Sequence, residues 1–264
     1  MKKTILFLMV GALIFGNSCK KDEEETAPHD TTPTSEICLL TRIDENDGNF
    51  SLLTYNSNNL ITEFKDFESD SSVDDIYSAI YDNNKLSKMD VTDGNDNLLM
   101  RLLYEYNGNL PTNMIYIEGN DTIISTFYHN SNHKLDSIVT PEEFKMSFTW
   151  NGDNVSEIKT YNYNQNANAF EVEQKIDYEF DDKNNPKHNI GINYFILDDD
   201  MIEFLNKNNI IKKTAYINHG TTLNNDDSKN YINEYNDKDN IIKSTIVNFN
   251  NDTTKIITNT YTCN

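Results

Sequence analysis

Along most of this chain apolar and polar residues alternate with a period of two, as in a β-strand with one buried face. Met100-Arg101-Leu102-Leu103-Tyr104-Glu105-Tyr106 sets Met100, Leu102, Tyr104 and Tyr106 on one side. Phe144–Trp150 does the same with Phe144, Met146, Phe148 and Trp150 against Lys145, Ser147 and Thr149, and Lys175–Phe180 follows suit. Short polar turns rich in Asn and Gly separate these stretches, which predicts antiparallel hairpins. One segment departs from the pattern. Asp198-Asp199-Asp200 offers acidic capping residues, and Met201, Ile202, Phe204 and Leu205 follow at helical spacing. That predicts a short helix near 198–205, inside a longer connection.

The hairpins also repeat. Each unit is an aromatic, then Asn or Asp, a polar turn of two to four residues, and an aliphatic residue or Pro that opens the next strand. It occurs as Tyr55-Asn56-Ser57-Asn58-Asn59-Leu60, Tyr81-Asp82-Asn83-Asn84-Lys85-Leu86, Tyr106-Asn107-Gly108-Asn109-Leu110 and Trp150-Asn151-Gly152-Asp153-Asn154-Val155. Longer copies run from Phe180 to Pro186 and from Tyr235 to Ile241, with weaker ones at His129–Leu135 and Leu205–Ile210. Successive units lie 21–30 residues apart, enough for two strands and two turns. The expected fold is all-β: an antiparallel meander curled into a water-soluble barrel or half-barrel. A β-propeller is the alternative, since pairs of repeats can form four-stranded blades.

The first residues read differently. Lys2 and Lys3 precede an apolar run from Ile5 to Phe15, too short to span a membrane as a mature helix, and Gly16 and Ser18 lead to Cys19. This resembles a bacterial lipoprotein signal of the Bacteroidetes type, although Gly16 and Asn17 depart from the stricter pattern. The resemblance implies removal of residues 1–18, lipidation of Cys19 and an outer-membrane anchor, on the cell surface or the periplasmic face. Residues 19–36 carry Lys20, Lys21, four consecutive acids and a Thr/Pro-rich stretch, with no large apolar residue before Ile37. They read as a flexible acidic tether. The folded domain is then 37–264. The run after Cys19 also looks like a surface-export signal; its plain alternative is a solvated linker.

The repeats superficially resemble the tyrosine–aspartate repeats of large shell-forming toxins, without their Gly-rich core. They more closely resemble a family of lipoproteins of unknown function from gut-type Gram-negative bacteria, described as having a porin-like fold. The matching features are Tyr178–Phe180, Asn185-Pro186 and Lys207-Asn208-Asn209, within a resemblance covering residues 39–262. It implies a curled meander and brings no catalytic residues.

Composition narrows the function classes. With 43 Asp and Glu against 22 Lys and Arg, the net charge is −21, which argues against nucleic acid as a partner. Outward strand positions carry Lys, Glu, Asp, Ser and Thr rather than the lipid-facing apolar band of a membrane barrel. The 41 Asn residues suit tight turns and imply no chemistry.

Three cysteines are present, and Cys19 is assigned to lipid. In an oxidising compartment the remaining Cys38 and Cys263 are expected to form a disulfide joining the first and last strands; two buried or reduced thiols are the alternative. His129 and His133 bracket a turn, so no metal site is expected there. The acidic stretches at 44–48 and 90–96 neither place Gly at the sixth position nor supply the late Glu of a calcium loop, and read as solvated turns. No nucleophile, phosphate-loop or dinucleotide motif occurs, and no cofactor is expected. Asp followed by Ser or Thr and an aliphatic residue or Thr resembles the O-glycosylation motif of such bacteria, with Thr31, Thr122, Ser137 and Thr253 as acceptors. The expected function is that of a non-enzymatic, monomeric envelope lipoprotein acting as a binding or structural module. A carrier of a lipid or other apolar ligand, and a glycan-binding or glycan-processing protein with loop carboxylates, are the alternatives.

Overall fold

Sixteen antiparallel strands follow one another in sequence order around a single closed barrel. The computed structural model describes residues 37–188, 200–250 and 252–263. Residues 1–36, where a signal and a tether are expected, with Cys19 and Thr31, lie outside them. The first eight strands are β1 (Cys38–Glu45), β2 (Phe50–Tyr55), β3 (Ile61–Phe67), β4 (Val73–Asp82), β5 (Lys85–Asp93), β6 (Leu98–Asn107), β7 (Leu110–Glu118) and β8 (Asp121–His129). The rest are β9 (Leu135–Thr140), β10 (Phe144–Asn151), β11 (Asn154–Asn164), β12 (Ala169–Asn184), β13 (Asn208–Ile217), β14 (Thr222–Tyr235), β15 (Ile241–Asn248) and β16 (Thr253–Cys263). One continuous sheet leaves no place for propeller blades or a half-barrel. The predicted helix exists as a single 3-10 turn over Asp200–Leu205, between β12 and β13.

β1 pairs with β16, and Cys38 and Cys263 are the terminal partners of that ladder, joined by a disulfide 225 residues apart in sequence. Chain-entropy arguments put the contribution of so long a loop at about 5 kcal/mol, as an upper figure. The chain therefore enters and leaves the barrel at one end. All the aromatic-Asn turns and the β12–β13 connection lie at this entry end, and the other hairpin turns lie at the far end.

Turn chemistry explains the repeat. In three copies an Asn side chain caps its own turn: Asn56 Oδ1 accepts the Asn58 and Leu60 amides, and Asn130 and Asn236 do likewise. Each of these turns then passes through a left-handed residue, Asn59, His133 or Asp239. Past the turn the ladder slips by one residue, a bulge that recurs at the β2–β3, β4–β5, β6–β7, β8–β9, β10–β11 and β14–β15 hairpins. Where the extra residue is Ser87, Thr112 or Ser156, its hydroxyl bonds back to a carbonyl of the preceding strand. The weak copy at Leu205–Ile210 is no hairpin. It leads from the 3-10 turn into β13, and its resemblance to the repeat comes from Asn208 and Asn209, which serve other bonds.

The repeat's aromatic points inward and reaches the preceding hairpin. Tyr55, Tyr81, Tyr106 and Tyr261 donate their hydroxyls to the carbonyls of Leu40, Ile61, Leu86 and Ile241 at 2.6, 2.7, 2.9 and 2.8 Å. Trp150 Nε1 makes the same bond to Leu135 at 2.6 Å. Burial pushes the Tyr55, Tyr81 and Tyr261 phenols far above their ordinary value, so they stay neutral donors. The inward faces are as the alternation predicts: Leu102, Tyr104, Met146, Phe148, Ile176 and Tyr178 are buried in one core.

Candidate binding cup in the barrel lumen

A sixteen-stranded barrel encloses more space than its own inward side chains fill. Here two sources of side chains share the interior unequally. Around β6 to β12 the core closes completely, with Leu102, Tyr104, Met114, Phe127, Met146, Phe148 and Ile158 all buried. Around the closing seam it does not; β16 has no buried residue. A cavity of about 610 Å³ fills that side, lined from β1 to β5 and from β13 to β16.

The β12–β13 connection forms its inner wall. Ile202 and Leu205 belong to the barrel core and Phe204 packs against it. The segment is fastened by amides. Asn206 Oδ1 accepts the Val155 amide at 2.7 Å, Asn154 and Asn208 bond each other reciprocally, and Asn185 Nδ2 donates to the Glu203 and Asn206 carbonyls. Asn208 Nδ2 adds a bond to the Lys183 carbonyl. Lys187 pairs with Glu203 on the cavity side. The cavity thus runs from this inserted segment toward the far end, where Glu45, Asp66 and Lys255 lie near strand termini and Asp227 lies within β14. It has the form of a cup.

Its walls are amphipathic. Ile43, Ile61, Phe64, Tyr77, Met89, Phe204 and Ile257 supply apolar surface. The charged groups are Glu45, Asp66, Glu203 and Asp227 with Lys187, Lys213, Lys229 and Lys255. Glu45 pairs with Lys255 at 2.6 Å. Asp66 accepts the Ser51 hydroxyl at 2.5 Å, yet burial, reinforced by the carboxylates of Asp75, Asp74 and Glu45, holds it above the usual range. Equal numbers of acids and lysines line this cup, in a chain with almost twice as many acids as bases. Lysine is concentrated here.

A second depression, about 650 Å³, lies at the entry end among His133, Lys134, Trp150, Asp153, His188 and Lys207. Lys134 lies over the Trp150 ring at 5.1 Å and bonds Asp153 at 3.0 Å, which holds that carboxyl below its ordinary value. Burial lowers His188, while Asp153 nearby works the other way. Asp153 pairs with Lys134 and Lys207 at an exposed rim.

No protein-family model and no curated protein matches the chain. Among solved structures it is similar to a porin-like protein from Bacteroides uniformis, with 11% identity, 85% of this chain and 96% of that one covered, and a TM-score of 0.51. A porin-like protein from Bacteroides vulgatus aligns at 10% identity over 85% of this chain and 99% of that one, with a TM-score of 0.43. The likeness to the Bacteroides uniformis protein is one of fold.

Other residues singled out in the sequence are scattered over the barrel. His129 ends β8 and His133 sits in the following turn; among the described residues no three His, Cys, Asp or Glu groups converge as a metal would need. Asp90 is held below its ordinary value chiefly by Arg101, helped by Lys88, and Asp93 caps its own turn, so the acidic stretch at 90–96 is used structurally. Thr122 and Thr253 are exposed, whereas Ser137 is buried. Nothing in the sequence pointed to the cup.

Proposed function

We propose that this chain is a non-enzymatic envelope lipoprotein, anchored to the outer membrane through Cys19 and acting as a binding module whose ligand enters the lumen of the barrel. The one-sided cup carries this reading. An interior filled all round by Tyr and Phe would describe a scaffold, whereas about 610 Å³ beside a completed core is the size of a small-molecule site. The described ends of the β12–β13 connection favour binding over conduction, because Ile202, Phe204 and Leu205 pack into the barrel core and four asparagines bond these ends in place. The cup's carboxylates support a non-catalytic role: Glu45 and Glu203 are taken by lysines and Asp66 by Ser51. A carrier of an amphipathic ligand is the form of the function that the cup favours. Glycan stacking finds less support, since the repeat's aromatics are tied to carbonyls within the sheet. Glycosylation is proposed at Thr31, Thr122 and Thr253; Ser137 is buried, the least accessible of the three described acceptors.

The anchor is tested in a Gram-negative host with the full chain and Cys19→Ala, fed labelled palmitate. Label on the first and none on the second, with the variant released from the membrane fraction, is the expected result. Equal membrane retention of both forms would remove the lipid from the account.

A further inference from the structure

One carboxyl of the cup has no counter-ion in the wall. Ile43, Ser51 and Asp66 are cross-strand partners in a single row over β1, β2 and β3, and all three line the cavity. Among the described residues the Ser51 hydroxyl, at 2.5 Å, is the one hydrogen-bond partner of Asp66, and no lysine or arginine pairs with it. The charges that act on it, Asp75, Asp74 and Glu45, share its sign and reinforce burial in holding it above the ordinary carboxylate range. The other charges of the cup are met: Glu45 pairs with Lys255 and Glu203 with Lys187, and Asp227 accepts the Asn224 side-chain amide. Lys213 has a partner of its own, and Lys229 donates to the Asp226 carbonyl. These two lysines also stand six and five strands from Asp66 round the sheet, about 24 Å along the wall for the nearer at ordinary strand spacing. Apolar surface lies beside the carboxyl instead. Phe64 is two residues earlier on the same face of β3, met edge-on by Tyr77 with ring centroids 5.6 Å apart, and Phe204 adds a second ring to the cavity.

Resting on the reading of the cup as the binding site, we infer that its ligand is an amphipathic cation, with a protonated amine head held by the Asp66 carboxylate and an apolar body against Ile43, Phe64 and Phe204. The ammonium supplies the counter-charge that the wall lacks and donates a charge-assisted hydrogen bond to the carboxylate. A net charge of −21 draws cations toward the barrel from a distance. An anion has the opposite fate beside this row, because its head meets Asp66 with Glu45, Asp74 and Asp75 behind it. A neutral amphiphile leaves the carboxylate without its counter-ion.

The test uses oxidised residues 37–264, the compact unit that the disulfide closes, and three ten-carbon probes at neutral pH: decylammonium, decanol and decanoate. Titration calorimetry should rank decylammonium first, at one site per chain, and decanoate last. Asp66→Asn keeps the size of the side chain and an acceptor for Ser51. It should weaken decylammonium about tenfold, the scale of a lost charged hydrogen bond, and leave decanol unchanged. Its melting temperature should not fall, which separates head-group binding from damage to the fold. Asp66→Glu, which keeps the charge, should retain more of the affinity than Asp66→Asn. Decylammonium held equally by the parent and Asp66→Asn, or three probes binding alike, would overturn the cation inference and leave the cup as a binding site. A preference for decanoate would overturn it in favour of the lysine-bearing side of the cup. Failure of all three probes to bind would remove the cup itself, and the inference with it.

Discussion

A single hydroxyl carries much of what the repeat does. In the units headed by Tyr55, Tyr81, Tyr106 and Trp150, and again at Tyr261, the aromatic both fills the interior and satisfies the carbonyl of a residue 15 or 20 positions earlier, near the start of the strand before its own. Tyr81→Phe and Tyr106→Phe keep the ring and remove the bond, so each should cost about 1 kcal/mol or somewhat more, since a part-buried carbonyl is left unmet. Urea denaturation followed by tryptophan fluorescence measures this, with the outward, half-exposed Tyr128→Phe expected to change nothing. The aromatic-Asn pattern was legible in the sequence; the destination of the hydroxyl was not, because it lies in another hairpin. Asp66 shows the same limit, for its neighbours on the inner wall come from β2 and β4. Its raised pKa means that the folded state holds the proton more tightly than the unfolded chain does. Stability therefore falls as pH rises from the ordinary carboxylate value of about 4 through the elevated one, and the full cost is present above it. Asp66→Asn keeps an acceptor for Ser51 and removes the charge. It should stabilise the barrel at neutral pH, with the gain vanishing below about pH 4, as read from thermal unfolding across pH.

At the scale of elements, the turns determine where strands can begin. Gly108 and Gly152 sit at positive φ with open space around them, so a side chain there meets backbone strain alone. Gly94 is different. Its φ is ordinary, but a Cβ would stand 2.3 Å from the Val73 carbonyl oxygen, and a backbone oxygen cannot swing aside. Gly94→Ala should cost about 2–3 kcal/mol as the β5–β6 turn shifts, against about 1 kcal/mol for Gly108→Ala. Chemical denaturation of the two variants side by side makes the comparison. Strands were legible from their alternation and turns from their Asn and Gly, since both signals are local. The β12–β13 connection was legible only in part. Its acids and helical spacing announced a short helical element, but Ile202, Phe204 and Leu205 give the same pattern whether they cover a surface or enter a lumen. Asn206, fully buried and bonded to β11, decides that placement, and it reads in sequence as one more turn asparagine.

For the whole molecule, closure was visible in the cysteine arithmetic, because two cysteines at the ends of an otherwise cysteine-free domain pair only if the first and last strands meet. The cup was not visible, because it is a difference between the space a sixteen-stranded sheet encloses and the volume of side chains from many separate strands. The outer surface separates this barrel from a membrane pore of similar topology. A spanning barrel needs an apolar lipid-facing band about 25 Å tall. Here the outward mid-strand positions carry ion pairs at Arg42–Asp44, Lys65–Glu63, Lys88–Asp90–Arg101, Lys159–Glu157, Lys175–Asp177, Lys212–Glu179 and Lys243–Glu234. They recur on β1, β3, β5, β6 and β11 to β15, and leave only the sector from β7 to β10 without such a pair. A lysine or arginine at mid-membrane costs about 2–4 kcal/mol, and seven such clusters are more than the outward Ile80, Leu103, Ile115 and Ile124 can offset. Oxidised residues 37–264 should therefore purify without detergent as a folded, β-rich monomer and add no conductance to a planar lipid bilayer. Stepwise conductance, or a requirement for detergent to stay in solution, would mean that these charges lie against something other than water.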